Sequence, residues 1–153
     1  MKTNQFPPTV RAIERMLVEG FAGGDLSIVD ELCHPDLVEH QFGLRGVGEE
    51  AKAKIRQAML LVHGAFPDLS FTIGAWTQDD DTTWVRAEGV ATNTGPFLAP
   101  PSGRPVEFTV VDVARFADGR IVEHWGVPDR FALSVQTGLL DEALASHLAH
   151  HPG

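Results

Sequence analysis

The aspartate at position 112 stands among apolar neighbours. Residues Val106 to Phe116 read as a strand whose even positions are Val106, Phe108, Val110, Asp112, Ala114 and Phe116. Side chains alternate between the two faces of a strand, so the Asp112 carboxyl group shares an otherwise apolar face. A carboxylate in such a place must find a partner or give up its charge by taking a proton. Both circumstances suit a general acid or base. The structural alternative is an ion pair, with Arg86 of a neighbouring strand as its partner. His40 has a similar setting, because it shares a face with Val38 and Phe42 in a short strand from Leu37 to Phe42. A histidine there acts on a ligand or serves as a hydrogen-bonded core residue. Asn93 ends a face of small side chains, Val85, Ala87, Gly89 and Ala91, which suits a cavity wall or close helix packing. His124 and Trp125 are consecutive, so one of them faces inward. A two-residue Asp118-Gly119 loop puts Trp125 opposite Asp112, whereas a slip of one residue brings His124 and Gly126 beside it.

Other chemistries find little support. Ser102 and Ser134 lack the Gly-x-Ser-x-Gly turn of a nucleophile, and no glycine-rich phosphate loop is present. His147, His150 and His151 lie at helical spacing in the tail, which reads as a polar end rather than a metal site. No metal and no cofactor are expected. The single cysteine, Cys33, excludes an internal disulfide and a multi-cysteine zinc site.

The elements that must position these groups follow from periodicity. Thr9 suits a helix N-cap, and Val10, Ile13, Leu17 and Phe21 then recur at helical spacing until Gly23-Gly24. Asp25 caps a shorter helix that ends before Pro35. A third helix follows Gly46 and Gly48, with Ala51, Ile55, Met59, Val62 and Phe66 on one face. From Leu69 the period becomes that of strands: 69–75, 83–94, 106–116 and 121–127, with a loop over 96–104. A helical tail begins near Phe131 and breaks at Gly138. Helices early and antiparallel strands late imply an α+β domain whose helices cover one face of a curved sheet and leave a pocket between the layers. One domain spans 1–153, with a core of about 9–140 and a tail over 141–153. No repeat or linker divides it.

Several segments resemble the SnoaL-like polyketide cyclases. They are Thr94-Gly95-Pro96-Phe97, Pro100-Pro101-Ser102-Gly103-Arg104, the run from Arg115 to Trp125, Asp129, and Gln136-Thr137-Gly138. Phe66-Pro67-Asp68-Leu69 and His34-Pro35-Asp36 fit the same pattern. The resemblance implies a nuclear-transport-factor-2-like cone, often dimeric, and ring closure by intramolecular aldol condensation without metal or cofactor. It also implies a proton-moving aspartate on the last strand and an assisting histidine on the strand before. At the matching positions this chain has Gly126 and Asp112, and the family's Gly-Thr-His is Ala91-Thr92-Asn93. Asp112 is therefore expected to take over proton transfer, with His124 or His40 orienting it or polarising a carbonyl. Asn93, Arg86, Trp125, Phe97 and Phe108 are the expected substrate contacts.

The expected ligand is a small apolar carbonyl compound undergoing aldol ring closure or isomerisation. The alternatives are water addition by an Asp-Arg-Asp relay, as in epoxide hydrolases of related shape, and a non-catalytic binding domain. The net charge of −9 and the absence of basic runs argue against nucleic acid and anionic lipid as partners. No apolar leader or span stands in the sequence, so a cytoplasmic location is expected. Val111 and Val113, on the odd face of their strand, predict a homodimer through that face.

Overall fold

The computed structural model describes residues 6–150; His151 and the first residues of the lead-in lie outside them. Helix α1 (Pro8–Arg15) runs on into a wider π-helical segment (Met16–Ala22). There follow α2 (Ile28–Leu32), β1 (Cys33–Glu39), β2 (Gly46–Val47), α3 (Glu49–Ala65), β3 (Ser70–Asp79), β4 (Thr82–Thr92), β5 (Pro105–Ala117), β6 (Arg120–Pro128), α4 (Arg130–Gln136) and α5 (Leu139–His150). The strands form one curved, unclosed sheet in the order β2-β1-β6-β5-β4-β3. This is the α+β architecture that the order of elements implies.

Local chemistry explains most boundaries. Pro8 opens α1, where its missing N–H costs nothing. Thr9 therefore does not cap the helix. Its hydroxyl accepts hydrogen bonds from Thr83 Oγ1 at 2.9 Å and Gln78 Nε2 at 2.8 Å, tying α1 to the sheet. Asp25 likewise folds back on Ser27, accepting from its backbone N–H at 3.0 Å and its hydroxyl at 2.6 Å.

The first strand departs from expectation. It spans Cys33–Glu39 and runs parallel to β6, with its register broken between Cys33 and Val38 around Pro35, which has no N–H to offer. Its inward residues are Cys33, Leu37 and Glu39. Leu37 and Glu39 are buried, while Phe42 is 77% exposed. Val38, His40 and Phe42 are thus not an inward face.

The β5–β6 hairpin settles the open register. Asp118 and Gly119 both have positive φ, 52° and 75°, as a two-residue turn that matches strand twist requires. Ala117 then pairs with Arg120 and Phe116 with Ile121, but Arg115 pairs with Glu123, so Val122 is an extra residue. Beyond this bulge, Asp112 faces Gly126 and Ala114 faces His124. His124 turns inward and Trp125 outward.

Two clusters of buried side chains fill the space between helices and sheet. One joins α1, the π-helical segment, α2 and α3 to β1 and β4 through Val10, Ile28, Val29, Leu37, Met59 and Val85. The other joins Phe66, Leu69, Val106, Phe108, Val110 and Leu133. A cavity occupies the seam between them. Among the described residues, no helix is long and apolar enough to cross a membrane.

Candidate functional site

The cavity has a volume of about 530 Å³ and walls drawn from both clusters, including Leu17, Phe66, Phe71, Phe97, Phe108 and Val110. That is a size suited to a small organic ligand. Its polar lining includes Glu39, Gln41, Asp112, His124 and Arg130.

Three of these groups form a chain. Glu39 from β1 and His124 from β6 are register partners, and Asp112 from β5 lies on the same inward face. His124 contacts Glu39 Oε2 through Nδ1 at 2.8 Å and Asp112 Oδ1 through Nε2 at 3.2 Å. Glu39 and Asp112 are 2% and 6% exposed. Burial alone lowers the pKa of His124, but the hydrogen bonds to Asp112 and Glu39 overcome it and push the pKa up to about 10. At neutral pH the imidazole is a cation donating to both carboxylates. Each carboxylate holds one end of that cation, which offsets part of the cost of its burial. Glu39 also accepts from the backbone N–H of Gln41 at 2.8 Å, which fixes its rotamer.

A second glutamate–histidine pair lies on the outer face of the same strands. His40 Nε2 meets Glu123 Oε1 at 2.8 Å, and Arg115 Nε donates to Glu123 Oε2 at 2.9 Å. These two hydrogen bonds, His40 first, hold the Glu123 carboxyl below the usual carboxylate range. His40 stacks on Trp125 with ring centroids 4.6 Å apart and planes within 7°. Neither ring lines the main cavity. Both border a shallower depression of about 310 Å³ on the other side of Gln41 and Gly126.

The residues singled out from the sequence are therefore divided. Asp112, His124, Phe97 and Phe108 meet at the cavity. His40 and Trp125 belong to the outer face. Arg86 is not the partner of Asp112, since the residue opposite Asp112 on β4 is Val85. The guanidinium of Arg86 points outward and approaches Glu88 at 3.6 Å, so an Asp-Arg-Asp relay built on it does not form. Asn93 is buried but does not reach the cavity. Its amide donates to Gly95 O at 2.8 Å, and its oxygen accepts from the Ser102 N–H and hydroxyl at 2.9 Å each, which shapes the loop carrying Phe97. Cys33 lines the cavity as a neutral group, its thiol pushed up to about 12 by burial. His150 Nδ1 donates within its own helix to Ser146 O at 2.7 Å. Among the described residues, no set of three or more His, Cys, Asp and Glu side chains is arranged to hold a metal ion.

Glu39 and Gln41 escaped the sequence reading. A signal for Glu39 was present, because the tripeptide Val-Glu-His occurs twice, at 38–40 and 122–124. In the parallel pairing, Val38 aligns with Glu123 and Glu39 with His124, one residue out of step. The offset sets a glutamate against a histidine on each face of the sheet.

The sequence pattern of the SnoaL-like polyketide cyclases matches residues 11–137. No protein of curated function matches. Among solved structures, IdmH from Streptomyces antibioticus, a proposed polyketide cyclase, is 31% identical with a TM-score of 0.69, over 87% of this chain and 99% of that one. AclR from Streptomyces galilaeus, a proposed hydroxylase, is 28% identical with a TM-score of 0.72, over 84% and 94%. A proposed SnoaL-like polyketide cyclase from Jannaschia sp. CCS1 is 25% identical with a TM-score of 0.72, over 88% and 96%. The mixed element order and the curved, unclosed sheet are those of the nuclear-transport-factor-2-like cone. This chain belongs to the SnoaL-like polyketide cyclase family.

Proposed function

We propose that this protein is a cyclase- or isomerase-type enzyme that moves a proton on an apolar carbonyl compound, with Asp112 as the base. The observation that carries the reading is the Asp112–His124–Glu39 chain on the wall of an otherwise apolar cavity. The apolar walls hold the ligand skeleton. A carboxylate oxygen of Asp112 takes a proton from the carbon next to a carbonyl, and the electron pair left behind forms an enolate. In ring closure, the enolate carbon bonds to a second carbonyl carbon, and the resulting alkoxide takes the proton back from Asp112. In isomerisation, the proton returns to a different carbon. The imidazolium of His124 offsets the negative charge that the pair of carboxylates brings into the cavity, and Glu39 fixes its ring. Acid–base help of this kind is worth roughly 10²–10⁴ in rate.

The test uses 2-acetonaphthone, an apolar ketone, in D₂O. The wild type should speed deuteration of its methyl group, followed by NMR, and Asp112→Asn should remove most of that gain. Exchange no faster than in buffer, or equally fast with the variant, contradicts the reading. Gly126, where the family carries its acid, favours a second reading as a non-catalytic binding domain; tight binding of the ketone without exchange would select it. The reading includes a homodimer through the outer sheet face, where Val111 and Val127 are 38% and 65% exposed. Sedimentation at the mass of one chain across a wide concentration range would contradict that.

A further inference from the structure

Gln41 follows β1 and lines the cavity beside the charged chain. Its backbone is occupied: the N–H donates to Glu39 Oε1 at 2.8 Å, and the C=O accepts from Leu44 N at 2.9 Å. Its side-chain amide makes no hydrogen bond to any described residue. An amide offers two donors and an acceptor with two lone pairs, and this half-buried one, which also borders the outer depression, has that capacity open to a ligand or to water.

The position of this amide depends on Gly126. A methyl group built on Gly126 would overlap Gln41 Oε1 outright, with Cδ at 2.9 Å and Asp112 Oδ1 at 3.1 Å from the same point. The space that a side chain at 126 would fill is thus taken by the Gln41 amide, next to the Asp112 carboxylate. Glycine at 126 and glutamine at 41 are a fitted pair. Together they keep a neutral hydrogen-bonding group, instead of another charge, at the polar end of the cavity.

We propose that Gln41 is a substrate-binding residue that receives the carbonyl oxygen of an uncharged ligand, and that Gly126 is the space that admits it. The inference rests on the reading of the cavity as a ligand site. An N–H of Gln41 donates to the carbonyl oxygen, and this turns the neighbouring C–H toward Asp112. As charge grows on that oxygen in the enolate, the same hydrogen bond strengthens.

The test compares binding of 2-acetonaphthone with 2-ethylnaphthalene, a molecule of similar shape without the oxygen, by titration calorimetry. The wild type should bind the ketone about tenfold more tightly, which is the effect of one net hydrogen bond of ~1.4 kcal/mol. Gln41→Met fills the same space without an amide and should bring the ratio to about one, leaving 2-ethylnaphthalene affinity unchanged. Gly126→Ala should evict the amide and bring the ratio down in the same way. The double variant should lose no more than either single one, because both remove one interaction. Equal binding of both probes by the wild type, or a ratio that survives Gln41→Met, overturns the assignment while leaving the cavity as a ligand site. Failure of both probes to bind the wild type overturns the cavity reading and this inference with it.

Discussion

Two glutamate–histidine pairs lie back to back across β1 and β6, each closed at 2.8 Å. The inner pair, Glu39 and His124, has a second carboxylate on the far ring nitrogen and a cavity beside it. The outer pair, Glu123 and His40, has Arg115 on the carboxylate, Trp125 on the ring and solvent around both. The inner glutamate side chain is 1% exposed and the outer histidine side chain 37%. Identical residue types thus yield a part-buried cation held by two buried anions on one face, and a more solvated cluster on the other. Chemistry here depends on which face of the sheet a pair occupies and what third group it meets.

The widest gap between the faces should be catalytic. Asp112→Asn should lower ketone deuteration by roughly 10²–10⁴, whereas His40→Gln should leave the rate unchanged. If both variants lose activity together, the outer pair belongs to the machinery and the contrast fails.

Stability should separate them next. His124→Leu strands two buried carboxylates and should cost roughly 3–5 kcal/mol in urea unfolding at pH 7. His40→Leu removes a part-exposed contact and should cost no more than about 1 kcal/mol. Similar losses would mean that the inner chain is as solvated as the outer one.

Raising the pH should sharpen the contrast further. The folded-state pKa of His124, about 10, lies above its ordinary value of 6.5. The folded protein therefore binds more protons than the unfolded chain between these values. The stabilisation is fully present below pH 6.5 and is lost as pH rises toward 10, by an amount on the order of a few kcal/mol. Urea midpoints measured from pH 7 to 10 should fall in the wild type and in His40→Gln, and stay flatter in His124→Gln. The smallest effect belongs to Arg115→Ala, at about 0.5 kcal/mol or less and shrinking further with added salt.

Much of this arrangement was legible from residue order. Strand alternation alone put Asp112 on the inward face, and the element order led to the α+β cone. What escaped depended on irregularities. The Val122 bulge decides whether His124 or Trp125 faces in, and no residue type announces an extra residue in that hairpin. Along the stretch from β1 into the turn after it, Val38, His40 and Phe42 look as apolar as Cys33, Leu37 and Glu39 do, so composition could not choose the face. The parallel pairing with β6 chose it. Asn93 looked like a cavity residue because its strand face is made of small side chains, but the loop it braces lies past the strand's end. Gln41 carried no signal at all, since its position depends on the empty space over Gly126, a tertiary fact.

Everything above depends on His124 being a cation clamped between Glu39 and Asp112 at the cavity wall. The direct measurement is a ¹⁵N NMR titration of the imidazole, with the signal assigned by loss in His124→Gln. The account predicts a doubly protonated ring through pH 8 that gives up its proton near pH 10. A neutral ring at pH 7 would contradict it.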